Sequence, residues 1–363
     1  MLSDRALNRS LLARQLLLER SDMPVRTAVE HLIGLQAQKP DPPHVGLWTR
    51  LRTIRTADVG GLLDARQLVR IAAMRSTIHL PTAADALALR PVIQSVLDRE
   101  LRAPVYSPLA GVDVGALARL GRRLCSGQPL TWAALGDALA GEFPGIDRHA
   151  LAIAVRNNVA LVQVPPRGRW RTSGPIAHVT AESWLDAPEG RDTDPAPVVL
   201  RYLAAFGPAT AADIAAWSGL RGIRAVLDRL GDQLRVLTDE RGRTLLDVHD
   251  GPLPDPDTPA PVRLLPEYDN ALLSHADRNR IIEDADRGVL ISPNGRVDGT
   301  VLVDGFVRGT WRTALHTTVE TVSITSLRPL SARDRRAIER ESPALLDFAS
   351  SGLIHRVAFG SER

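Results

Sequence analysis

A chain of 363 residues, 44% hydrophobic and 24% charged, has the composition of globular proteins and the length for two to four domains, which excludes disorder as its main state. It has no apolar run near the roughly 20 residues a membrane helix needs, and its one cysteine, Cys125, excludes an internal disulfide or a multi-cysteine zinc site and reads as a buried small side chain. The net charge is only +3, yet Lys39 is the single lysine among 45 basic side chains. Arginine's planar fork suits phosphate, and a pI near 9.6 permits a nucleic-acid partner without requiring one.

Ser3 to Glu19 reads as a core helix, with Leu7, Leu11, Leu12, Leu16 and Leu18 in an apolar stripe and arginines opposite. Asp4, Arg5, Arg9 and Arg14 interrupt any signal-peptide core, so the expected location is cytoplasmic. Val25 to Leu35 has helical spacing and opens on Pro24; Pro40 ends the pattern and pushes Lys39 and Gln38 into extended backbone. Side chains two apart diverge by roughly 200° on a helix but share a face on a strand. Gln36 and Gln38 therefore address one site if the helix has ended, with Ala37 turned toward the protein.

After Pro42-Pro43, Val45–Arg55 and a segment starting at Thr56 read as helices, and Leu68–Leu80 as a β-rich stretch with Arg75, Thr77 and His79 on one side. Two or three helices followed by a strand pair is the order of a winged helix; Pro81–Leu101 reads as a long helix. A second unit follows: helices Val112–Cys125, Thr131–Leu139 and Asp147–Val159, then a hairpin from Leu161 to Thr172 with Arg167 and Arg169 at its tip. Helices Val198–Phe206, Thr210–Ser218 and Arg221–Leu230, with a hairpin from Leu234 to Val248, repeat it, each copy having a threonine N-cap at Thr131 or Thr210. From Val262 the pattern turns to short strands: Val262–Leu265, Val289–Ser292, Val297–Asp304, Phe306–Trp311 and Thr318–Ser323, with turns at Asn294-Gly295 and Asp304-Gly305. Ser331–Arg340 reads as a helix and Ile354–Phe359 as a closing strand. The expected fold class is α+β: winged-helix units at 1–111, 112–186 and 187–255, then a β-barrel-like domain at 256–363.

Leu35-Gln36-Ala37-Gln38, Arg75-Ser76-Thr77-Ile78-His79, Leu264-Leu265-Pro266-Glu267-Tyr268-Asp269, His275-Ala276-Asp277-Arg278 and Leu302-Val303-Asp304-Gly305 carry a resemblance over essentially the whole chain. It resembles the bacterial winged-helix DNA glycosylases that excise N7-alkylated purines and unhook interstrand crosslinks, in particular the self-resistance members encoded beside azinomycin-type antibiotics. The resemblance implies a C-shaped protein enclosing duplex DNA, with Gln36 and Gln38 as the catalytic pair. Aspartate replaces the second glutamine in the broader-specificity branch.

An amide cannot serve as a general base, but its carbonyl can position water and face developing positive charge. N7-alkylation makes the purine cationic, so the substrate supplies most of the activation. The expected phosphate contacts are Lys39, Arg75, His79, Arg167, Arg169 and Arg296. No cofactor or metal is expected: Asp247-Val248-His249-Asp250 and His275-Ala276-Asp277 read as turns and braces. The expected partner is double-stranded DNA with bulky or crosslinked N7-alkylpurine lesions, bound by a monomer without a membrane. Base release without strand cleavage is expected, because Lys39, the only lysine, follows Gln38 directly and points to the opposite face. The rival reading is a winged-helix transcription regulator, which needs the same helices but no glutamine pair.

Overall fold

The computed structural model describes residues 1–290, 297–350 and 352–360. One order of elements recurs three times: helix, short strand, two helices, two strands. It runs first through Val25–His31, Leu35–Gln36, Pro42–Trp48, Thr56–Asp64, Arg70–Ala72 and Ile78–Leu80. The second copy comprises Val114–Cys125, Leu130–Thr131, Trp132–Glu142, Arg148–Asn158, Leu161–Gln163 and Ala177–Thr180. The third uses Ala196–Phe206, a single bridge at Ala209, Ala211–Ser218, Ile223–Leu230, Leu234–Thr238 and Thr244–Val248. In every copy the short first strand pairs with the last. The Thr131 side chain accepts from Ala134 N, and Thr210 and Asp213 form a reciprocal capping box, so the middle helices of the second and third copies start on satisfied ends.

The strand pairs of the first two copies join. Arg70–Ala72 runs antiparallel to Leu161–Gln163, giving one six-stranded sheet from Leu35–Gln36 at one edge to Leu130–Thr131 at the other. The hairpin placed between Leu161 and Thr172 instead uses Ala177–Thr180 as its second strand, and 164–176 is a loop. The β-rich stretch at Leu68–Leu80 turns at Met74–Ser76, where Arg75 and Ser76 take left-handed φ of 55° and 60°. The helix across Pro81–Leu101 divides at Ile93 into Ala83–Val92 and Gln94–Glu100, two residues after Pro91, which lacks the N–H a continuous helix needs.

The first helix, Asp4–Arg14, is buried around most of its circumference, not only along its leucine stripe. Arg14 donates to both oxygens of Asp247 at 2.9 and 2.8 Å and to Leu203 O, and Gln15 donates to Ala205 O. Arg9 and Arg5 grip Asp304 at the Asp304-Gly305 turn, and Asn8 donates to Gly305 O and Arg280 O. The helix therefore ties the third repeat to the C-terminal region, and Arg14 O also meets His31 of the first. Asp247, one of the acidic residues weighed as a metal ligand, is instead the shared partner of Arg14 and Arg235.

The C-terminal strands form an open sheet, not a barrel. Its order is Ile354–Phe359, Val319–Ser326, Phe306–His316, Gly299–Val303, Arg263–Leu265, and no pairing joins the two edges among the described residues. The helix Ala332–Ala349 carries the chain over one face, packing Ile338, Leu345 and Leu346 on Leu264, Val301, Val322 and Ile324, so the last strand arrives parallel to Val319–Ser326 at the outer edge. Val289 and Leu290 end a helix, Asp284–Leu290, where a strand was expected; the rest of that strand and the Asn294-Gly295 turn lie outside the described residues.

Removing Arg14 takes the donor from Leu203 O and leaves the buried Asp247 with Arg235 alone, and disrupting a buried ion pair costs up to about 3–5 kcal/mol. Arg14→Ala should accordingly lower the urea midpoint by a corresponding amount; a midpoint equal to wild type would show that the Asp247 contact does not hold the first helix in place.

Candidate active site

The helix Val25–His31 stops well before Pro40. Ile33 and Gly34 take left-handed φ of 57° and 80°, and Gly34 N donates back to Val29 O, which closes the helix end. Glycine suits the position twice over, since a Cβ there would stand 3.1 Å from Leu80 O and 3.2 Å from Pro81. The chain leaves this turn extended, and Leu35–Gln36 pairs antiparallel with His79–Leu80. Ala37 N continues the ladder to Ile78 O at 2.7 Å, and Ala37 is fully buried.

At Ala37 the ladder is taken over by side chains. Ala37 O accepts from Arg70 Nη2 at 2.7 Å, and Ile78 N donates instead to Gln38 Oε1 at 3.2 Å. Gln36 Oε1 accepts from Arg75 Nη2 at 2.7 Å. A backbone N–H and a guanidinium can only donate, so each carboxamide must turn its oxygen to that partner, which settles the orientation of both amides. One segment, 75–78, therefore supplies the donors for both glutamines. Gln36 is buried and Gln38 exposed. Gln36 also lines a small cleft with Pro42, Pro43, Arg50, Glu267 and Asn270.

The expected phosphate contacts fare differently. Arg75 does not stand on an exposed strand face; its turn aims it inward, where it donates to Trp217 O as well as to Gln36. Burial and the nearby charge of Arg278 push its pKa down to about 10. His79 sits opposite Gln36 in the strand register but is wholly buried, and burial drives its pKa down to about 3, so it is neutral and unable to meet a phosphate. Lys39 is ion-paired with Glu267. Arg169 is bonded to Asp64 at 2.8 Å. Arg167 is half-buried in the 164–176 loop, close enough to Arg70 to lower that residue's pKa, to about 10, after burial itself. Arg296 lies outside the described residues.

The same loop reaches the first repeat: Gly168 O meets His44 Nε2 at 2.8 Å, and Arg171 N donates to Asp41 at 2.9 Å. The sequence reading did not single out Arg70, whose place in an apolar strand was the available signal, or the role of Glu267. Asp269, two residues on, accepts both bonds of Arg50 at 2.8 Å in a buried pair that braces the helix Pro42–Trp48 through Gly46 O. His275-Ala276-Asp277 docks on the third repeat through Phe206 O and Asp213.

His79, His178 and His275 are all buried with pKa values lowered to about 3, 4 and 3, burial being the first cause in each. Their unfolded values lie near 6.5, so below that pH the unfolded chain binds protons that the folded chain refuses. Their contribution is fully present above about pH 6.5 and is lost as pH falls toward the folded values. The urea midpoint should therefore fall between pH 7 and pH 5, with proton uptake on unfolding at pH 5. A midpoint that held or rose would contradict neutral burial of these rings.

A family model described as "DNA glycosylase AlkZ-like" matches residues 29–348. Among solved structures, the DNA glycosylase AlkZ of Streptomyces sahachiroi superposes with a TM-score of 0.81 at 20% identity, covering 99% of this chain and 100% of that one; at that identity the likeness concerns the fold. A search of curated protein sequences returned no match.

Proposed function

The chain belongs to the AlkZ-like DNA glycosylase family and is thus a DNA glycosylase, a hydrolase of N-glycosyl bonds, and we propose that its substrates are N7-alkylated purines in duplex DNA, including crosslinked ones. Gln36 and Gln38 are the catalytic pair in this reading. The observation that supports it is the holding of both carboxamides, oxygen-first, by the single segment 75–78. Each carbonyl oxygen has two lone pairs, and one is taken by its donor. The other is left to accept from a water and orient it toward the deoxyribose C1′.

Such a pair positions water but cannot deprotonate it. That arrangement matches a leaving group already made cationic by N7-alkylation, where bond breaking runs ahead of nucleophilic attack, and it would be inadequate for an ordinary purine. The recurring element order supports reading 1–111, 112–186 and 187–255 as winged helices that curve around the duplex as a C-shaped monomer. Lys39, Arg167 and Arg169 contact phosphate on this reading, Lys39 and Arg169 by exchanging Glu267 and Asp64 for DNA.

With duplex carrying one N7-methylguanine, base release should fall by about tenfold or more in both Gln36→Ala and Gln38→Ala, equivalent to roughly 1.4 kcal/mol on the barrier, with little change in DNA binding. Wild-type rates in both variants would remove the glutamines from the mechanism.

The enzyme leaves an abasic site and does not cut the strand. A lyase step needs an amine free to form a Schiff base at C1′, and the only lysine is committed to Glu267 in the free protein and, on this reading, to phosphate on DNA. Borohydride should trap no covalent protein–DNA species on adduct-containing duplex. A trapped band that disappears in Lys39→Arg would assign Lys39 the opposite role.

A further inference from the structure

Arg75 occupies a costly position. It lies in a left-handed turn, recessed between the first and third repeats, and has no carboxylate partner among the described residues; the charge that acts on it is that of another arginine, Arg278. A half-buried cation held by neutral oxygens and facing a like charge adds nothing obvious to stability. Its two bonds explain the placement. Nη2 holds Gln36 Oε1 at 2.7 Å, and Nη1 is anchored on Trp217 O at the end of the helix Ala211–Ser218. The third repeat presses on the turn directly: Gly219, at φ 80°, has a backbone on which a Cβ would lie 3.5 Å from Arg75 N and Cα, and its carbonyl is held by Arg99.

A terminal carboxamide rotates in a broad, nearly two-fold torsional well, so a glutamine without an obligate donor beside it samples both flips. In one flip Gln36 offers water an acceptor; in the other it offers an N–H₂ group, and the water turns its own lone pairs toward the protein instead of toward the sugar. We propose that Arg75 is a positioning residue that locks Gln36 in the accepting flip, and that the third repeat, through Trp217 O, sets where that lock stands. The inference rests on the catalytic reading of Gln36. It replaces the phosphate-contact role that the sequence suggested for Arg75.

The test is single-turnover base release from N7-methylguanine duplex, with duplex affinity and its salt dependence measured in parallel for Arg75→Gln, Arg75→Lys, Gln36→Ala and the Arg75→Gln/Gln36→Ala double variant. Arg75→Gln should slow release by about tenfold or more while the Kd stays within about twofold and the salt slope is unchanged. The double variant should be no slower than Gln36→Ala alone, because Arg75 acts only through Gln36. Arg75→Lys, a single-pronged donor, should recover part of the rate, and it decides the matter if Arg75→Gln does not fold. Wild-type release in both Arg75 variants, or full additivity with Gln36→Ala, would overturn the proposal. So would a raised Kd with a flattened salt slope, which marks a phosphate contact. Gln36→Ala separates the two levels: if it releases base at the wild-type rate the catalytic reading itself fails, whereas a slow Gln36→Ala beside fast Arg75 variants sinks this inference alone.

Discussion

Two backbone pairs, Leu35 with Leu80 and Gln36 with His79, set where everything else around the glutamines can stand. A strand this short cannot hold itself, and its direction comes from the left-handed step at Ile33-Gly34 on one side and the six-stranded sheet on the other. The pairing stops one residue later, where Arg70 takes the carbonyl of Ala37 and Gln38 takes the N–H of Ile78. The end of a β-ladder normally faces water; here its open groups are capped by side chains. That substitution turns Gln38 from a free surface side chain into a fixed one, while Arg75 fixes the buried Gln36.

The arginine bias looks at first like a DNA-binding surface, but much of it is spent inside the protein. Arg9, Arg14, Arg50 and Arg70 are almost completely buried, and each spreads its fork over two or more oxygens: carboxylates of Asp304, Asp247 and Asp269, or backbone and amide carbonyls. Five donors in a plane can bridge elements far apart in sequence, which an ammonium does less well. These residues fasten the first helix, the helix after the proline cluster and the central sheet, so composition alone overstated the cationic surface. Exposed cations near the motif are also paired, Lys39 with Glu267 and Arg169 with Asp64; the proposed phosphate contacts would exchange these partners, which costs least at the solvent-facing Arg169–Asp64 pair.

On the proposed reading, a pair of amides serves a reaction whose difficulty has been removed by the lesion. A carboxylate near C1′ would add charge stabilisation and widen the range of bases released; amides fixed by donors supply orientation and little more. On the proposed reading, selectivity for cationic purines follows from what the site does not contribute. It also makes the placement of each oxygen decisive, since a misdirected amide has no charge with which to compensate.

The sequence by itself determined the local elements and the candidate motif. Helical spacing, the caps at Thr131 and Thr210, and the Asp304-Gly305 turn are short-range signals, and helices and hairpins form where those signals stand. The Gln36-Ala37-Gln38 motif on backbone that has left the helix was legible for the same reason, with Ala37 facing inward. Tertiary structure alone decided the rest. It chose Ala177–Thr180 over the residues leading to Thr172 as the partner of Leu161–Gln163, joined two repeats in one sheet, and sent the last strand to an open edge because a helix covers the sheet's face. It buried His79 and turned Arg75 onto Gln36, against an alternation pattern that placed both on one exposed face. Those outcomes depend on a turn of two left-handed residues and on a carbonyl 142 positions away, and no periodicity within a window of ten or so residues carries that information.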